Sequence, residues 1–318
     1  MKYIFSIVFL AWSVLALAQT PRIEFEAPYV YPEGVVYYPA NNTFFVSSVK
    51  TGTIGTVSEN GEYKVFYEDS TLKSTFGMKV DPKQNKLWVC AGDPNYSKYS
   101  TPATYKKMIR LISIDIKSGK KINDIDLSAL YHGKHFLNDL ALDNTGNIYL
   151  TDSFSPVVYR VDSKGRASVF AQSDLFKSID VGLNGIVWSP KGFLIVDNNS
   201  DGCLYKIDIK NPTQITRIRN NIFFVGADGL LWDNTGHLIV VQNKGVNKIY
   251  QLSSTDNWQT SEVIAATSGA DRFKQPSTAT MQQDKIYVLN SKLNELSNPT
   301  MPPSIKFSLQ LAKFQSLK

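Results

Sequence analysis

A sequence unit that recurs six times constrains this chain more than any other feature. Its three clearest copies are LNDLALDNTGNIYLTD at 137–152, LNGIVWSPKGFLIVD at 183–197 and ADGLLWDNTGHLIVV at 227–241. Each copy indicates a strand, a tight turn and a second strand, because apolar runs flank a cluster of turn-forming residues. Weaker copies begin at Glu33, Phe76 and Ser277. A chain of this kind folds by placing equivalent units side by side.

The spacing of the copies predicts the architecture. Their second residues are Gly34, Gly77, Asp139, Gly185, Gly229 and Thr278. The successive separations are 43, 62, 46, 44 and 49 residues, and propeller blades repeat every ~40–50 residues. With third and fourth strands such as 157–161 and 167–170, the sequence predicts an all-β fold, a six-bladed β-propeller. The last unit ends after its third strand at 305–311, so we expect the N-terminal strand at 22–26 to close the last blade.

The N-terminus has the composition of a secretory signal peptide. Met1 and Lys2 precede an apolar run that ends in a small-x-small cleavage pattern at 16–18. We therefore predict a signal peptide at 1–18 and a mature propeller at 19–318, exported to the periplasm or the extracellular space. A membrane anchor is the alternative, but a spanning helix usually needs about 20 apolar residues. No membrane association is expected after cleavage.

Charge argues against nucleic-acid binding, and cysteine content argues against a disulfide framework. The formal net charge is +6 with scattered basic residues, whereas nucleic-acid binding needs a basic patch or stripe. Cys90 and Cys203 fall in different repeats, so we expect two buried thiols and no disulfide framework. We expect the partner to be a small-molecule substrate and not a nucleic acid. We expect the protein itself to be a monomer.

One position of the repeat supplies the candidate site. The first strand of each propeller blade lines the central channel, so one register position becomes a ring around the axis. The residues just before the six second residues are Glu33, Phe76, Asn138, Asn184, Asp228 and Ser277. Four of the six offer carboxylate or amide oxygens, the ligands that hard cations such as calcium take. Asn and Asp before Gly also form turns, but Glu33 is a poor turn former, and buried charges are costly unless paired or metal-bound.

These residues also carry a family resemblance that covers the mature chain in order and spacing. Pro32-Glu33-Gly34, Asn138-Asp139, Asn184-Gly185 and Asp228-Gly229 resemble the pattern of the senescence marker protein, gluconolactonase and luciferin-regenerating enzyme family. The resemblance implies a catalytic divalent metal held by Glu33, Asn184 and Asp228, with Asn138 contacting metal or substrate. Calcium is the first expectation, and Mg²⁺, Mn²⁺ or Zn²⁺ are alternatives. Paraoxonases and diisopropyl fluorophosphatase have a similar ring, so the substrate is not specified.

The sequence departs from the sugar-lactonase pattern at one position. Those enzymes often have Arg two residues before the Asn of the third blade, where this chain has Phe136. A sugar-acid lactone is therefore in doubt. We expect substrate contacts from Phe76, Phe136, Asn138 and Ser277.

The leading interpretation is a metal-dependent hydrolase of a lactone or similar ester. Asp228 is the candidate general base or nucleophile, two roles that the sequence does not separate, and Asn138 is the second candidate catalytic residue. The rivals are a non-enzymatic binding propeller with a structural cation and a phosphotriesterase or arylesterase.

Two further features bear on the pocket. Long connections at 93–107 and 290–303 start on the active face and are expected either to wall the pocket or to be plain surface loops. His132 and His135 lie just before the third copy. They are either proton carriers or solvated loop residues.

Overall fold

The structure is a computed structural model that describes residues 21–298 and 300–317. In chain order its strands are β1 (Arg22–Glu26), β2 (Val35–Tyr38), β3 (Thr43–Val46), β4 (Ile54–Ser58), β5 (Tyr63–Tyr67), β6 (Ser74–Asp81), β7 (Lys86–Gly92), β8 (Ile109–Asp115), β9 (Lys121–Asp126), β10 (Leu137–Leu142), β11 (Ile148–Asp152), β12 (Val157–Val161), β13 (Ala167–Gln172), β14 (Leu183–Ser189), β15 (Phe193–Asn198), β16 (Leu204–Asp208), β17 (Ile215–Ile218), β18 (Ala227–Trp232), β19 (Leu238–Gln242), β20 (Lys248–Ser253), β21 (Glu262–Thr267), β22 (Pro276–Gln282), β23 (Lys285–Asn290), β24 (Lys306–Leu311) and β25 (Phe314–Ser316). Short 3-10 helices occupy Ser70–Leu72, Asp174–Phe176, Gly269–Asp271 and Leu293–Ser297.

The strands form six antiparallel sheets, the blades. Blades one to five consist of β2–β5, β6–β9, β10–β13, β14–β17 and β18–β21, each hydrogen-bonded in chain order. The first strands β2, β6, β10, β14, β18 and β22 contact one another in that order, and β2 contacts β22, which closes the ring. The prediction of an all-β, six-bladed β-propeller is confirmed.

The first and last strands of the described residues belong to neighbouring blades. The order of the sixth sheet is β1-β24-β23-β22, with Arg22 opposite Gln310 and Glu26 opposite Lys306. The C-terminal strand β25 instead pairs with β21 and extends the fifth blade to five strands. The sequence did not predict β25, because three residues carry no period-2 pattern of their own.

A bulge interrupts the first strand of five blades at the ring position. Strand pairing shifts across residues 76–77, 138–139, 184–185, 228–229 and 277–278. In the first blade Glu33 precedes β2 and so also lies outside the ladder. A β-bulge frees residues from the ladder and re-aims their side chains. The repeated bulge therefore takes these residues out of the regular alternation of side chains along the strand.

Close approach at the axis explains the glycine that follows several ring residues. A Cβ on Gly34 would clash with the carbonyl oxygen of Phe76, and a Cβ on Gly185 would clash with that of Asp228. Each of these glycines therefore meets the backbone of the next blade's first strand. A side chain at either position would push neighbouring blades apart, so the Gly marks blade contact rather than a turn.

Burial falls from the axis outwards. Five of the six residues of β10 are buried, whereas β9 at the outer edge of its blade alternates between half-buried and exposed. Cys90 and Cys203 are both buried and free, as expected. None of the described residues forms a helix of the length and apolarity needed to span a bilayer. The predicted signal peptide at 1–18 lies outside the described residues.

Candidate functional site

Five of the six ring residues meet in one cavity at the end of the channel. Its volume is about 590 Å³, and its lining includes Glu33, Phe76, Asn138, Asn184 and Asp228. All five side chains are buried in the protein, with exposed fractions between 0% and 7%. The fold thus brings together the four oxygen-bearing residues that the sequence singled out.

Ser277, the sixth ring residue, is placed differently from the expectation. Its side chain is fully buried and is not part of the cavity lining. The hydroxyl donates to the carbonyl oxygen of Glu33 at 2.5 Å and also bonds the hydroxyl of Ser291. Ser277 therefore positions the Glu33 backbone, and the expected substrate contact has no support in the geometry. The short Ser277 side chain thus makes its hydrogen bonds with residues of the protein, at the junction of the sixth and first blades.

Burial disfavours the ionised form of the two ring carboxyl groups, Asp228 and Glu33, and so raises their pKa values. It raises the pKa of Asp228 to about 8, with the nearby charge of Asp139 adding to the effect and hydrogen bonds from Asn243 and Asn184 opposing it. Burial, followed by the negative charge of Asp228, also holds the pKa of Glu33 well above its usual range. Two buried carboxyls that lie close together form a site that favours a compensating positive charge.

Two buried oxygens of the ring lack a hydrogen-bond partner. They are Oε2 of Glu33 and Oδ1 of Asn138. The amide nitrogen of Asn138 donates to Ser153 Oγ at 2.9 Å, which fixes the side chain. Buried polar atoms are normally paired, so two orphaned oxygens beside a second carboxylate suit an oxygen-seeking cation.

The donor set of this ring is mixed. It consists of two carboxylates and two carboxamides, and among the residues that the structure describes no group of three or more His, Cys, Asp and Glu side chains is suited to a metal. Carboxylates and carboxamides are hard oxygen donors and match calcium or magnesium better than softer metals. The residues present therefore fit the expected divalent cation.

Two further acidic residues, Asp139 and Asp197, lie close to the ring and were not predicted as site residues from the sequence. Burial raises the pKa of Asp139, while the charge of Lys79 opposes that rise. Burial also raises the pKa of Asp197 well above its usual range, and the charge of Asp228 adds to it. The sequence contained a sign of each residue: Asp139 is the acidic second residue of its repeat, and Asp197 lies near the end of β15. Only the folded structure brings both groups close to the ring.

One wall of the cavity is aromatic. Phe76 and Phe136 have ring centroids 4.7 Å apart, and Phe136 lies 5.4 Å from Phe154 and 6.4 Å from Tyr96. All four rings line the cavity. Phe76 and Phe136 are therefore part of the cavity lining, although Phe76 has no exposed surface. Their contact with a substrate stays a prediction. The remaining lining includes a polar group formed by Asn184, Asn199, Asp228, Asn243 and Lys244.

Parts of both long connections form the cavity wall. Pro94, Asn95, Tyr96, Tyr105 and Lys106 come from the connection at 93–107. From the connection at 290–303 come Leu293, Asn294, Leu296 and Ser297.

The connection at 93–107 is built around one buried carboxylate. Asp93 accepts hydrogen bonds from the hydroxyls of Ser100 at 2.7 Å and Thr104 at 2.6 Å, and from the backbone N–H of Asn95 at 3.2 Å. A buried carboxylate with three donors fixes the loop around it. The wall is therefore preformed.

The two histidines are not part of the cavity. His132 is exposed, and His135 is buried with its Nδ1 2.7 Å from Oδ2 of Asp152. Neither lines the cavity. Asp152 also accepts from the backbone N–H groups of Phe136 at 2.9 Å and Phe154 at 3.0 Å. His135 and Asp152 thus hold the aromatic wall in place, and the proton-carrier interpretation loses its support.

Fold and site together define a class: six-bladed propellers whose channel ends in a ring of oxygen donors beneath a cavity that is part aromatic and part polar. No protein-family model and no curated protein sequence matches the chain. Solved structures do. The Malassezia sympodialis allergen Mala s 1 is 15% identical, with a TM-score of 0.73 over 92% of this chain and 96% of the other.

Two enzymes share the fold as well. A luciferin-regenerating enzyme is 14% identical, with a TM-score of 0.62 over 94% of this chain and 99% of its own. The Xanthomonas campestris protein XC5397, described as a gluconolactonase, is 17% identical, with a TM-score of 0.59 over 91% and 88%. At these identities the likeness shows the fold, which is the one that the repeat spacing predicted.

Proposed function

We propose that the protein is a divalent-cation-dependent hydrolase of a lactone or a similar ester. The observation that carries the proposal is the pair of buried carboxyls, Glu33 and Asp228, at the floor of an open cavity, with Glu33 Oε2 and Asn138 Oδ1 unpartnered. Unpaired buried polar atoms cost stability, so such a floor is expected where a ligand completes it. Solved propellers of the same fold include a protein described as a gluconolactonase.

Glu33, Asn138, Asn184 and Asp228 would hold the cation, and calcium is the first expectation because all the donors are hard oxygens. When bound, a divalent cation supplies Lewis-acid polarisation of a carbonyl and neutralises developing negative charge. Asp228 and Glu33 would supply the compensating negative charge. Asn138 would present its free Oδ1 to the cation or to the substrate.

Asp228 is the candidate general base or nucleophile. In the cation-free protein burial raises its pKa to about 8. A bound cation would favour the ionised carboxylate, which is the form that a general base or nucleophile needs. Asn243 donates to Oδ2 at 2.5 Å and fixes the orientation of the carboxyl. The carboxyl thus has a fixed position at the cavity that would hold the substrate.

The test is hydrolysis by purified protein spanning 19–318 of a panel of lactones, aryl esters and phosphotriesters. Each substrate is assayed with calcium, magnesium, manganese, zinc or chelator. Cation-dependent turnover of lactones is expected, and turnover confined to aryl esters would favour the arylesterase alternative. Turnover confined to phosphotriesters would favour the phosphotriesterase alternative, and cation binding with no turnover of any substrate would favour a binding propeller.

Location and assembly belong to the same proposal. The protein would be exported through its N-terminal segment and act as a monomer on a small molecule in the periplasm or the extracellular space. Detection of the N-terminus at residue 19 in the exported fraction tests the first point, and sedimentation velocity tests the second.

A further inference from the structure

Lys106 occupies an unusual position in the cavity wall. Its ammonium group lies 4.8 Å from the ring centroid of Phe154 and 5.2 Å from that of Tyr105. The residue lines the same cavity as the ring carboxyls. Its charge therefore lies against the aromatic wall, where a cation is attracted to the face of a ring.

The backbone of Lys106 is held in a conformation that lysine rarely adopts. Its φ angle is +53°, in the left-handed region. The N–H donates to the carbonyl of Asp93 at 2.7 Å, and its carbonyl accepts from the N–H of His135 at 2.9 Å. The two hydrogen bonds therefore fix the backbone of Lys106 in this conformation.

The charge of Lys106 has no carboxylate partner among the residues that the structure describes. The other lysine of the cavity, Lys244, lies 3.9 Å from the carboxylate of Asp180. A lysine fixed by its backbone, stacked on rings and left without a counter-ion is suited to receive an anion from outside.

We propose that Lys106 selects substrates that combine an apolar, preferably aromatic, body with an anionic group. The inference rests on the proposed hydrolase function and names its substrate class. The body would lie against Phe136, Phe154 and Tyr96, and the anion would meet the ammonium of Lys106. Lysine is a compact point charge and does not separate carboxylate from phosphate by geometry, so the shared chemistry is an anion on an apolar body.

A polyhydroxylated substrate fits this wall poorly. Sugar hydroxyls need hydrogen-bond partners once water is removed. The hydroxyl of Tyr96 is the one polar group on the four rings of this wall, and the rings of Phe136 and Phe154 offer none. The polar part of the lining would face the ester or lactone group and the cation site. The cavity thus has separate regions for the reacting group and for the apolar body.

The test measures binding independently of turnover. Titration calorimetry compares 3-phenylpropanoate, 2-phenylethyl phosphate and the neutral 3-phenylpropanamide, each with saturating calcium. Wild-type protein should bind at least one anion about tenfold or more tightly than the amide, the range of a hydrogen bond to a charged group. The better anion identifies whether the natural group is closer to a carboxylate or to a phosphate.

Lys106→Met keeps the apolar stem and should remove the preference for the anion. Lys106→Asn also removes the charge, and asparagine tolerates positive φ better than most residues, so it covers the case that Lys106→Met folds poorly. The matched control is Lys98→Met, because Lys98 lies in the same connection over Tyr99 at 4.9 Å but does not line the cavity. This control should bind all three probes as wild type does.

Equal binding of anions and amide by wild type, or an equal loss for all three probes in both Lys106 variants, would overturn the inference. A kinetic arm compares KM for phenyl acetate and 4-carboxyphenyl acetate. If neither ester nor any lactone is hydrolysed while the anion preference depends on Lys106, the proposed hydrolase fails and the anion site stands. Turnover without any such preference would support the hydrolase and remove the anion site.

Discussion

Two buried polar clusters lie close together in this propeller, and they differ in how completely their groups are paired. In the first, Asp152 is bonded by His135 Nδ1, by the hydroxyl of Tyr159 at 3.1 Å and by backbone N–H groups. In the second, Glu33 and Asn138 each leave a buried oxygen without a partner. Both clusters contain buried carboxyl groups, yet only one is completed by the protein itself.

The difference separates a structural network from a binding site. A fully satisfied network makes a region rigid, and the Asp152 cluster fixes the backbone that carries Phe136 and Phe154. An unsatisfied cluster at a cavity floor carries a desolvation penalty until a ligand completes it. Mutation should therefore affect turnover in the second cluster and stability in the first.

The largest effect is expected from Asp228→Asn. The change keeps the size and one ligand oxygen but removes the charge and the basic oxygen. At saturating cation the turnover number should fall by about 10² to 10⁴, the usual contribution of general acid–base catalysis. Steady-state kinetics with the best panel substrate measures it. Full turnover at restored cation would show that Asp228 is a ligand only and that the base lies elsewhere.

Asp152→Ala should chiefly destabilise the fold. It leaves the buried imidazole of His135 and several backbone N–H groups without an acceptor, a loss we place at about 3 kcal/mol of unfolding free energy. Urea denaturation measures this loss. Turnover per folded molecule should fall far less than in Asp228→Asn, and a larger fall with unchanged stability would erase the distinction between the clusters.

Cation binding should stabilise the wild-type protein. A ligand that binds only the folded state adds ~2.7 kcal/mol at 100 times its dissociation constant, so the melting temperature should rise with calcium or a competing divalent ion. Because one charge is lost, Asp228→Asn should need more cation for the same rise. Identical melting curves in excess chelator and with every divalent cation would remove the cation site.

The same carboxyl predicts a pH dependence in chelator. The folded-state pKa of Asp228 is about 8, well above the unfolded value of about 3.9. The folded state therefore holds the proton longer, and its stability relative to Asp228→Asn should fall as pH rises from about 4 to about 8 and then level off. Paired urea titrations across this range measure it, and a constant difference would contradict the prediction.

The smallest effect is expected from Ser277→Ala. It removes the hydroxyl that bonds the carbonyl of Glu33, a net loss of about 1 kcal/mol for a neutral hydrogen bond. Turnover should stay within about tenfold of wild type, because a hydroxyl that positions a ligand contributes less than a general base. A loss as large as that of Asp228→Asn would restore Ser277 to the substrate-contacting residues.

Much of the fold and part of the site were predictable because they repeat. Six copies of one pattern set the number of blades, and the residue before each second position selected six ring residues, five of which line one cavity. The repeat conveys this information because equivalent positions in equivalent blades must face the same axis. Periodicity is a local property that a sequence records directly.

The architecture and the register of the ring thus follow from the amino-acid sequence alone. The pairing of each buried group does not: Ser277 is bonded to Glu33 across 244 residues of chain, His135 to Asp152, and β25 to the fifth blade. The position of Lys106 over Phe154 likewise emerges only when the chain is folded. Hydrogen-bond partners depend on which strands meet when the ring closes. Closure brings together residues that are far apart in the chain at irregular separations, and no sequence periodicity predicts such pairs.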